Sequence, residues 1–147
     1  MSKHEFEMQE FETRQRQVRE AMDKEGLDLI LCIAPQSIHW LIGTRAKSFQ
    51  EFQCLFFTRE PGPLTVMMRL AEVLEYTEQS LAEDIRGWGG REPEDPIDVV
   101  KAIMEEKGYF KHRIGLEVPY YSLGPHDYIL SLIHISEPTR RACRSRM

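Results

Sequence analysis

The chain has 147 residues, of which 41% are hydrophobic and 29% charged, a composition that excludes disordered, collagen-like and membrane-spanning chains. Nineteen basic and 24 acidic side chains give a formal net charge of −5, so we expect no nucleic-acid partner and no membrane partner. The length supports one hydrophobic core, and the polar first residues lack the pattern of a secretory leader, which predicts a cytoplasmic location.

The first third of the chain predicts a helix, a strand and a second helix. Apolar residues at helical spacing predict an amphipathic helix over Glu7–Glu25, which Gly26 ends. The apolar run Leu27–Ala34 then has the composition of a buried strand. A short second helix is predicted to be capped by Ser37 and to end at Gly43.

The middle of the chain predicts a hairpin followed by a helix. A polar loop, Thr44–Gln50, leads into the aromatic run Phe52–Thr58, and turn residues separate that run from a second strand, Leu64–Arg69. A second amphipathic helix is predicted over Leu70–Leu81. Its predicted buried stripe consists of Leu70, Val73, Leu74, Thr77 and Leu81.

The last elements complete an α/β pattern. A short strand is predicted over Asp84–Trp88, followed by a helix that Asp95 caps and Gly108 ends. The last strand is predicted over His112–Val118. A hairpin among helix–strand units favours a mixed sheet over a purely parallel one.

The sequence offers no familiar catalytic motif. HExxH spacing, a glycine-rich phosphate loop and a GxSxG elbow are all missing. Cys32 and Cys54 lie in apolar strands, and with Cys143 they make an odd number, which favours buried reduced thiols over a disulfide framework. Helix capping and solvation account for the acidic stretch 92–95.

One loop combines side chains suited to binding. His39 and Trp40 precede a segment that contains Arg45 and Phe49, so cationic, aromatic and amide groups lie beside the ends of strands. Loops in such positions often carry binding. A solvated turn over a buried tryptophan is the alternative.

The order of these elements and their amino-acid sequences resemble those of a known family. The segments GLDLIL at 26–31, PQSIHWLIG at 35–43 and IGLE at 114–117 resemble the N-terminal domain of the creatinase, prolidase and Xaa-Pro aminopeptidase family over roughly residues 8–129. The resemblance implies a ribonuclease H-like mixed β-sheet flanked by helices, without catalytic residues or metal ligands of its own.

The resemblance also implies a larger protein. Its catalytic C-terminal domain would hold a divalent metal pair (Mn, Co or Zn) and act on a small peptide or amino-acid derivative. This domain would form a homodimer or higher homo-oligomer, with Arg45 and Phe49 shaping a substrate pocket in a neighbouring subunit and His39 and Trp40 supporting their loop. The alternatives are a creatinase- or ectoine-hydrolase-like C–N hydrolase and a non-catalytic protein-interaction module.

The end of the chain differs from the rest. The segment 130–140 reads LSLIHISEPTR, which is the translation expected from a common transposase sequencing adapter, and four arginines fall within 130–147. We therefore expect a natural domain over residues 1–129 and a non-native tail over 130–147 that comes from adapter read-through. A genuine basic C-terminal helix is the alternative.

Overall fold

The computed structural model describes residues 7–44 and 51–117. In chain order the helices and strands are α1 (Met8–Glu25), β1 (Leu29–Cys32), α2 (Pro35–Ile42), β2 (Cys54–Thr58), β3 (Thr65–Arg69), α3 (Val73–Gln79), β4 (Asp84–Trp88), α4 (Pro96–Lys107) and β5 (Ile114–Leu116). Two 3-10 turns, Leu70–Glu72 and Tyr109–Lys111, precede α3 and β5. The domain boundary at residue 129 and the tail 130–147 lie outside the described residues, and both stay predictions.

The five strands form one mixed sheet in the order β4-β3-β2-β1-β5. β2 runs antiparallel to both of its neighbours, whereas β1 pairs in parallel with β5 and β3 pairs in parallel with β4. The antiparallel pair β2–β3 is the predicted hairpin. The prediction of an α/β fold with a mixed sheet flanked by helices is confirmed.

Two cores lie on opposite faces of the sheet because successive strand residues point to opposite sides. One core contains Phe56 and Met67 and is covered by α4 through Val100. The other contains Phe57 and is covered by α1, α2 and α3, the last through Tyr76. The molecule therefore has three layers, with three helices on one face and one on the other.

Most predicted helix ends are confirmed. Gly26, Gly43 and Gly108 each end a helix in the left-handed backbone region, with φ of 66°, 81° and 70°, a conformation that suits glycine. The Asp95 carboxylate accepts a hydrogen bond from the Ile97 N–H over 2.9 Å and caps α4 as predicted.

The predicted cap of α2 is wrong. The helix begins at Pro35, and Ala34 rather than Ser37 occupies the N-cap position. Proline suits this place because its missing N–H would lack a partner there in any case. The Ser37 hydroxyl instead donates a hydrogen bond to a distant carboxylate, that of Glu117.

The predicted buried stripe of the third helix is also wrong. Tyr76 is fully buried, while Leu70 and Leu74 are 57% and 69% exposed. Thr77 is exposed as well, and Val73 and Leu81 are only partly buried against the core. Helical spacing correctly predicted a helix, but packing against the sheet turned a different side of it inward.

The two described cysteines are buried and reduced, as predicted. Cys54 belongs to the core under α4 and Cys32 to the core on the other face, so their side chains point apart although their strands are neighbours. Burial is the main reason why the pKa of each thiol is raised, and the charge of Glu117 raises both further. Such thiols stay protonated at neutral pH and are poor nucleophiles. Cys143 lies outside the described residues.

Candidate functional site

The predicted binding loop starts at the end of α2, where the chain turns at Gly43. The Gly43 N–H donates to the His39 carbonyl over 2.9 Å, and Nδ1 of His39 lies 2.6 Å from the carbonyl oxygen of Thr44. Because a carbonyl oxygen only accepts, Nδ1 carries the hydrogen. Thr44 itself is 1% exposed. The last described residue before the loop is therefore held firmly in place.

Trp40 lies on the outer side of α2 and is 41% exposed. The guanidinium of Arg14 lies 5.2 Å from the centre of the Trp40 ring and 5.5 Å from that of Phe11, which is within the range of cation–π attraction. Nη1 of Arg14 also donates to the Trp40 carbonyl over 3.1 Å, and Nη2 forms an ion pair with Glu10. Arg14 therefore fixes both the backbone and the ring of Trp40.

The described chain resumes after the loop at Glu51, which forms an ion pair of 2.9 Å with Arg69. The guanidinium of Arg69 lies 5.4 Å from the centre of the Trp88 ring, and the indole N–H of Trp88 donates to the Phe52 carbonyl over 2.8 Å. These contacts connect the far end of the loop to β3 and β4.

Immediately after that anchor comes a buried polar pair. Gln53 is 1% exposed, and its amide oxygen accepts a hydrogen bond from the hydroxyl of Tyr76, which is fully buried. Burial is the main reason why the pKa of Tyr76 is raised, and the carboxylates of Glu72 and Glu75 raise it further. The hydroxyl thus stays a donor at all physiological pH values.

Glu117 ties the end of β5 to the start of α2. Its carboxylate is 7% exposed and accepts hydrogen bonds from the N–H groups of Ile33 and Ala34, over 2.9 and 3.0 Å. The Ser37 hydroxyl donates to its other oxygen over 2.5 Å. An acidic group at a helix N-terminus interacts favourably with the helix dipole and satisfies backbone donors that the helix cannot.

The four predicted site residues fall into two groups. His39 and Trp40 lie next to each other on α2, the helix that leads into the loop, and their supporting role stays a prediction. Arg45 and Phe49 lie outside the described residues, so their role in a substrate pocket stays a prediction.

Two structurally important residues received no role from sequence reasoning. Glu117 ends the segment 114–117 that carries the family resemblance, and Arg14 lies on the first helix, yet each contacts a residue far away in the chain. A lone arginine on the apolar face of the first helix, near Phe11 and Val18, was a usable signal for Arg14. A single carboxylate ending an apolar strand was the corresponding signal for Glu117.

Across residues 7–44 and 51–117, no group of three or more histidine, cysteine, aspartate or glutamate side chains is placed to hold a metal ion. In the acidic stretch 92–95, Asp95 caps α4 and Glu94 accepts from the Gly89 N–H over 2.9 Å. These contacts agree with the structural interpretation of that stretch.

A shallow groove of about 570 Å³ lies between α1 and the turn after β2. Its lining includes three arginines and four carboxylates: Arg16, Arg19, Arg59, Glu12, Glu20, Asp23 and Glu60. Arg59 forms an ion pair of 3.0 Å with Asp28, and Arg19 donates to the Thr58 carbonyl over 3.2 Å. Neither His39 nor Trp40, the two predicted site residues within the described ranges, lines this groove.

Comparison with protein families gives one match over most of the chain. Residues 14–137 match the model described as the creatinase/prolidase N-terminal domain. The matched range extends beyond residue 129. A comparison with curated proteins gives no match.

Solved structures of dipeptidases share the fold. The creatinase/prolidase N-terminal domain of an X-Pro dipeptidase from Streptococcus pyogenes is 18% identical with a TM-score of 0.67, over 84% of this chain and 88% of that one. Recombinant prolidase from Thermococcus sibiricus is 17% identical with a TM-score of 0.67, over 86% of this chain and 32% of that one. Dipeptidase PepE from Mycobacterium ulcerans is 19% identical with a TM-score of 0.63, over 86% and 33%.

Within the described part of the chain, no helix combines the length and the apolar character needed to cross a bilayer.

Proposed function

The chain belongs to the creatinase/prolidase N-terminal domain family, and we propose that it is the non-catalytic N-terminal domain of a Xaa-Pro peptidase-like metallohydrolase. In this role it would serve oligomerisation and the shaping of a substrate pocket. The chain spans about a third of the prolidase and PepE structures but 88% of the separately solved streptococcal domain. These proportions support a role as one domain of a larger hydrolase, which we expect to lie in the cytoplasm.

The observation that carries the pocket proposal is the anchoring of the loop at both ends. His39 holds the Thr44 carbonyl before the loop, and Arg69 pairs with Glu51 after it. Arg45 and Phe49 belong to the six residues of the sequence that lie between these two anchored ends. We propose that Arg45 and Phe49 use this arrangement to contact a small peptide bound in a neighbouring subunit.

Catalysis would belong to a different domain of the protein. A pair of divalent ions (Mn, Co or Zn) would there activate water and polarise the scissile carbonyl. The described residues do not form a ligand set for such a pair. We propose that the contribution of this chain is to help bind and orient the substrate.

The loop proposal is tested in the complete enzyme expressed from its native gene. Arg45→Ala and Phe49→Ala should each lower kcat/KM for a Xaa-Pro dipeptide by about tenfold, with an unchanged oligomeric state. Arg16→Ala, which removes an exposed arginine of α1, is the matched control and should leave kcat/KM unchanged. Equal kcat/KM for all four proteins would overturn the pocket role.

The same assay separates the two hydrolase candidates. Hydrolysis of Xaa-Pro dipeptides supports the peptidase, whereas activity confined to a small amidine or cyclic amino-acid derivative would identify a C–N hydrolase. A complete protein that binds no divalent metal and cleaves none of these substrates would point to an interaction module instead.

A further inference from the structure

Arg14 is a nearly buried cation at the junction of α1 and α2. It is 8% exposed and lies one helical turn from Phe11, which is fully buried. Burying a guanidinium costs free energy, and an apolar side chain of similar size would pack at such a place at a lower cost. An arginine here therefore indicates a task that needs its hydrogen-bond donors and its charge.

The contacts of Arg14 with Trp40 involve both the backbone and the ring. Nη1 of Arg14 donates to the Trp40 carbonyl over 3.1 Å, and the guanidinium carbon lies 5.2 Å from the ring centre. A planar guanidinium suits this double contact, because it donates hydrogen bonds in its plane and is attracted to the face of an aromatic ring. The ion pair with Glu10 partly offsets the cost of burying the charge.

These contacts lie at the end of α2 from which the 45–50 loop departs. The last four carbonyls of a helix lack a partner within it, and those of Trp40 and Leu41 are among them in α2. Arg14 donates to the first of these carbonyls, and Nε2 of Gln15 donates to the second over 2.9 Å. Two neighbouring side chains of α1 thus supply donors to the C-terminal end of α2.

The two donors differ in what else they hold. Gln15 is half-buried and contacts α2 through the backbone of Leu41. Arg14 also lies against the Trp40 ring and, at 5.5 Å, against the ring of buried Phe11, so it connects the end of α2 to the packed face of α1. Its positive charge is favourable there, because a helix C-terminus carries a partial negative charge.

We infer that Arg14 is a positioning residue for the 45–50 loop: from α1 it holds Trp40, and with it the end of α2 from which the loop starts. The inference rests on the pocket role proposed above for Arg45 and Phe49, and it adds to that site a residue from a different helix. Arg14 acts through Trp40 and not on the substrate.

Limited digestion of the 147-residue chain with trypsin tests the hold on the loop directly. Trypsin cleaves after arginine and lysine, and the loop contains Arg45 and Lys47. Arg14→Met should raise the cleavage rate at these two sites about fivefold, because native-state cleavage follows local opening. Cleavage after exposed Arg91, in the loop after β4, should not change. Arg16→Met, at an exposed arginine of the same helix, is the matched control and should leave all rates unchanged.

Arg14→Lys keeps the charge but not the planar fork, and it should give an intermediate cleavage rate in the loop. This variant also tests the inference if Arg14→Met fails to fold. Unchanged loop cleavage in the Arg14 variants would overturn the inference. An equal rise at Arg91 would also overturn it, because the substitution would then act on the whole fold and not on the loop.

The complete enzyme provides a second readout. Arg14→Met should raise KM for a Xaa-Pro dipeptide about fivefold with little change in kcat, because the loop is proposed to bind substrate. A merely structural loss would lower kcat through the unfolded fraction and leave KM unchanged. In a background of Arg45→Ala with Phe49→Ala, Arg14→Met should raise KM no further, because it acts through the loop.

The outcomes separate this inference from the pocket proposal. If the Arg45 and Phe49 variants lower kcat/KM while Arg14→Met changes neither KM nor loop cleavage, the positioning role is overturned and the pocket stands. If the Arg45 and Phe49 variants have no effect on kcat/KM, the pocket role is overturned. Faster cleavage confined to the loop in Arg14→Met would then still support the hold of Arg14 on it.

Discussion

α2 and α3 are short helices on the same face of the sheet, and they differ in how much of their apolar surface they bury. α2 buries Ile38, Leu41 and Ile42, whereas Tyr76 is the one residue of α3 that is fully covered. The difference lies in the polar anchors. Glu117 holds α2 at its start through three hydrogen bonds, while α3 is positioned by the bond from Tyr76 to Gln53. The helix with more polar anchors is thus also the one that buries more apolar side chains.

Removing the anchor of α2 should have the largest effect on stability. Glu117→Ala leaves the Ile33 and Ala34 N–H groups and the Ser37 hydroxyl without their acceptor, and we expect a loss of about 3 kcal/mol in the free energy of unfolding. Urea denaturation followed by circular dichroism measures it. Glu105→Ala, an exposed carboxylate on α4, is the control and should change stability by less than about 0.5 kcal/mol. A similar small change for Glu117→Ala would show that α2 does not depend on this anchor.

A substitution that pushes α3 away from the sheet should lower the free energy of unfolding by less than the loss of Glu117 does. In Gly87→Ala the new Cβ would lie 2.8 Å from Leu70 Cδ1 and 3.2 Å from Leu70 Cα, so the backbone of the turn must move. We expect a loss of about 2 kcal/mol. Gly62→Ala is the matched control, because nothing lies within 4 Å of its added Cβ. Equal stability of the two alanine variants would contradict the close packing of α3 on β4.

The edge strand beneath α3 should give the smallest effect, and one that depends on pH. Hydrogen bonds from Arg86, above all, and from Lys107 and Thr65 hold the pKa of Asp84 well below its ordinary value. Because the folded-state pKa is the lower one, the stabilisation is present above the unfolded-state value of about 3.9 and is lost as pH falls below it.

Asp84→Asn should therefore cost about 1 kcal/mol at pH 7 and little at pH 2, since the pair is partly solvated. Urea denaturation at the two pH values measures the difference, with Glu105→Gln as a carboxylate control. A cost that is equal at both pH values would mean that the charge of Asp84 does not contribute.

Local signals in the sequence predicted much of the fold. Gly26, Gly43 and Gly108 marked the helix ends and Asp95 marked a cap, because each of these roles depends on backbone conformation or a neighbouring N–H. The hairpin and the mixed sheet followed from turn residues between apolar runs. Such features are settled within a few residues of chain.

Contacts between residues far apart in the chain could not be predicted from such local signals. Helical spacing predicted that Leu70 and Leu74 are buried, whereas the structure buries Tyr76, whose hydroxyl donates to Gln53, 23 residues away. The bonds of Glu117 to Ile33 and Ala34 likewise span more than 80 residues. No local pattern encodes which distant group a buried carboxylate will meet.

The candidate site, like the fold, was predictable only where the signal was local. His39 and Trp40 were singled out because they lie on the helix that leads into the loop; the structure gives their contacts with Thr44 and Arg14, and their supporting role stays a prediction. Arg14 itself was missed as a partner because the cation–π contact joins two helices. The roles of Arg45 and Phe49 depend on a neighbouring subunit and need the enzyme assay.

The central claim is that this chain is one domain of a larger metallohydrolase. Sequencing the native gene across codon 129 tests it most directly. We predict an open reading frame that departs from the present sequence at about residue 130 and continues into a domain with two aspartates, a histidine and two glutamates as metal ligands. A stop codon shortly after residue 129, or an uninterrupted genomic reading of Leu130 to Met147 followed by a stop, would contradict the claim.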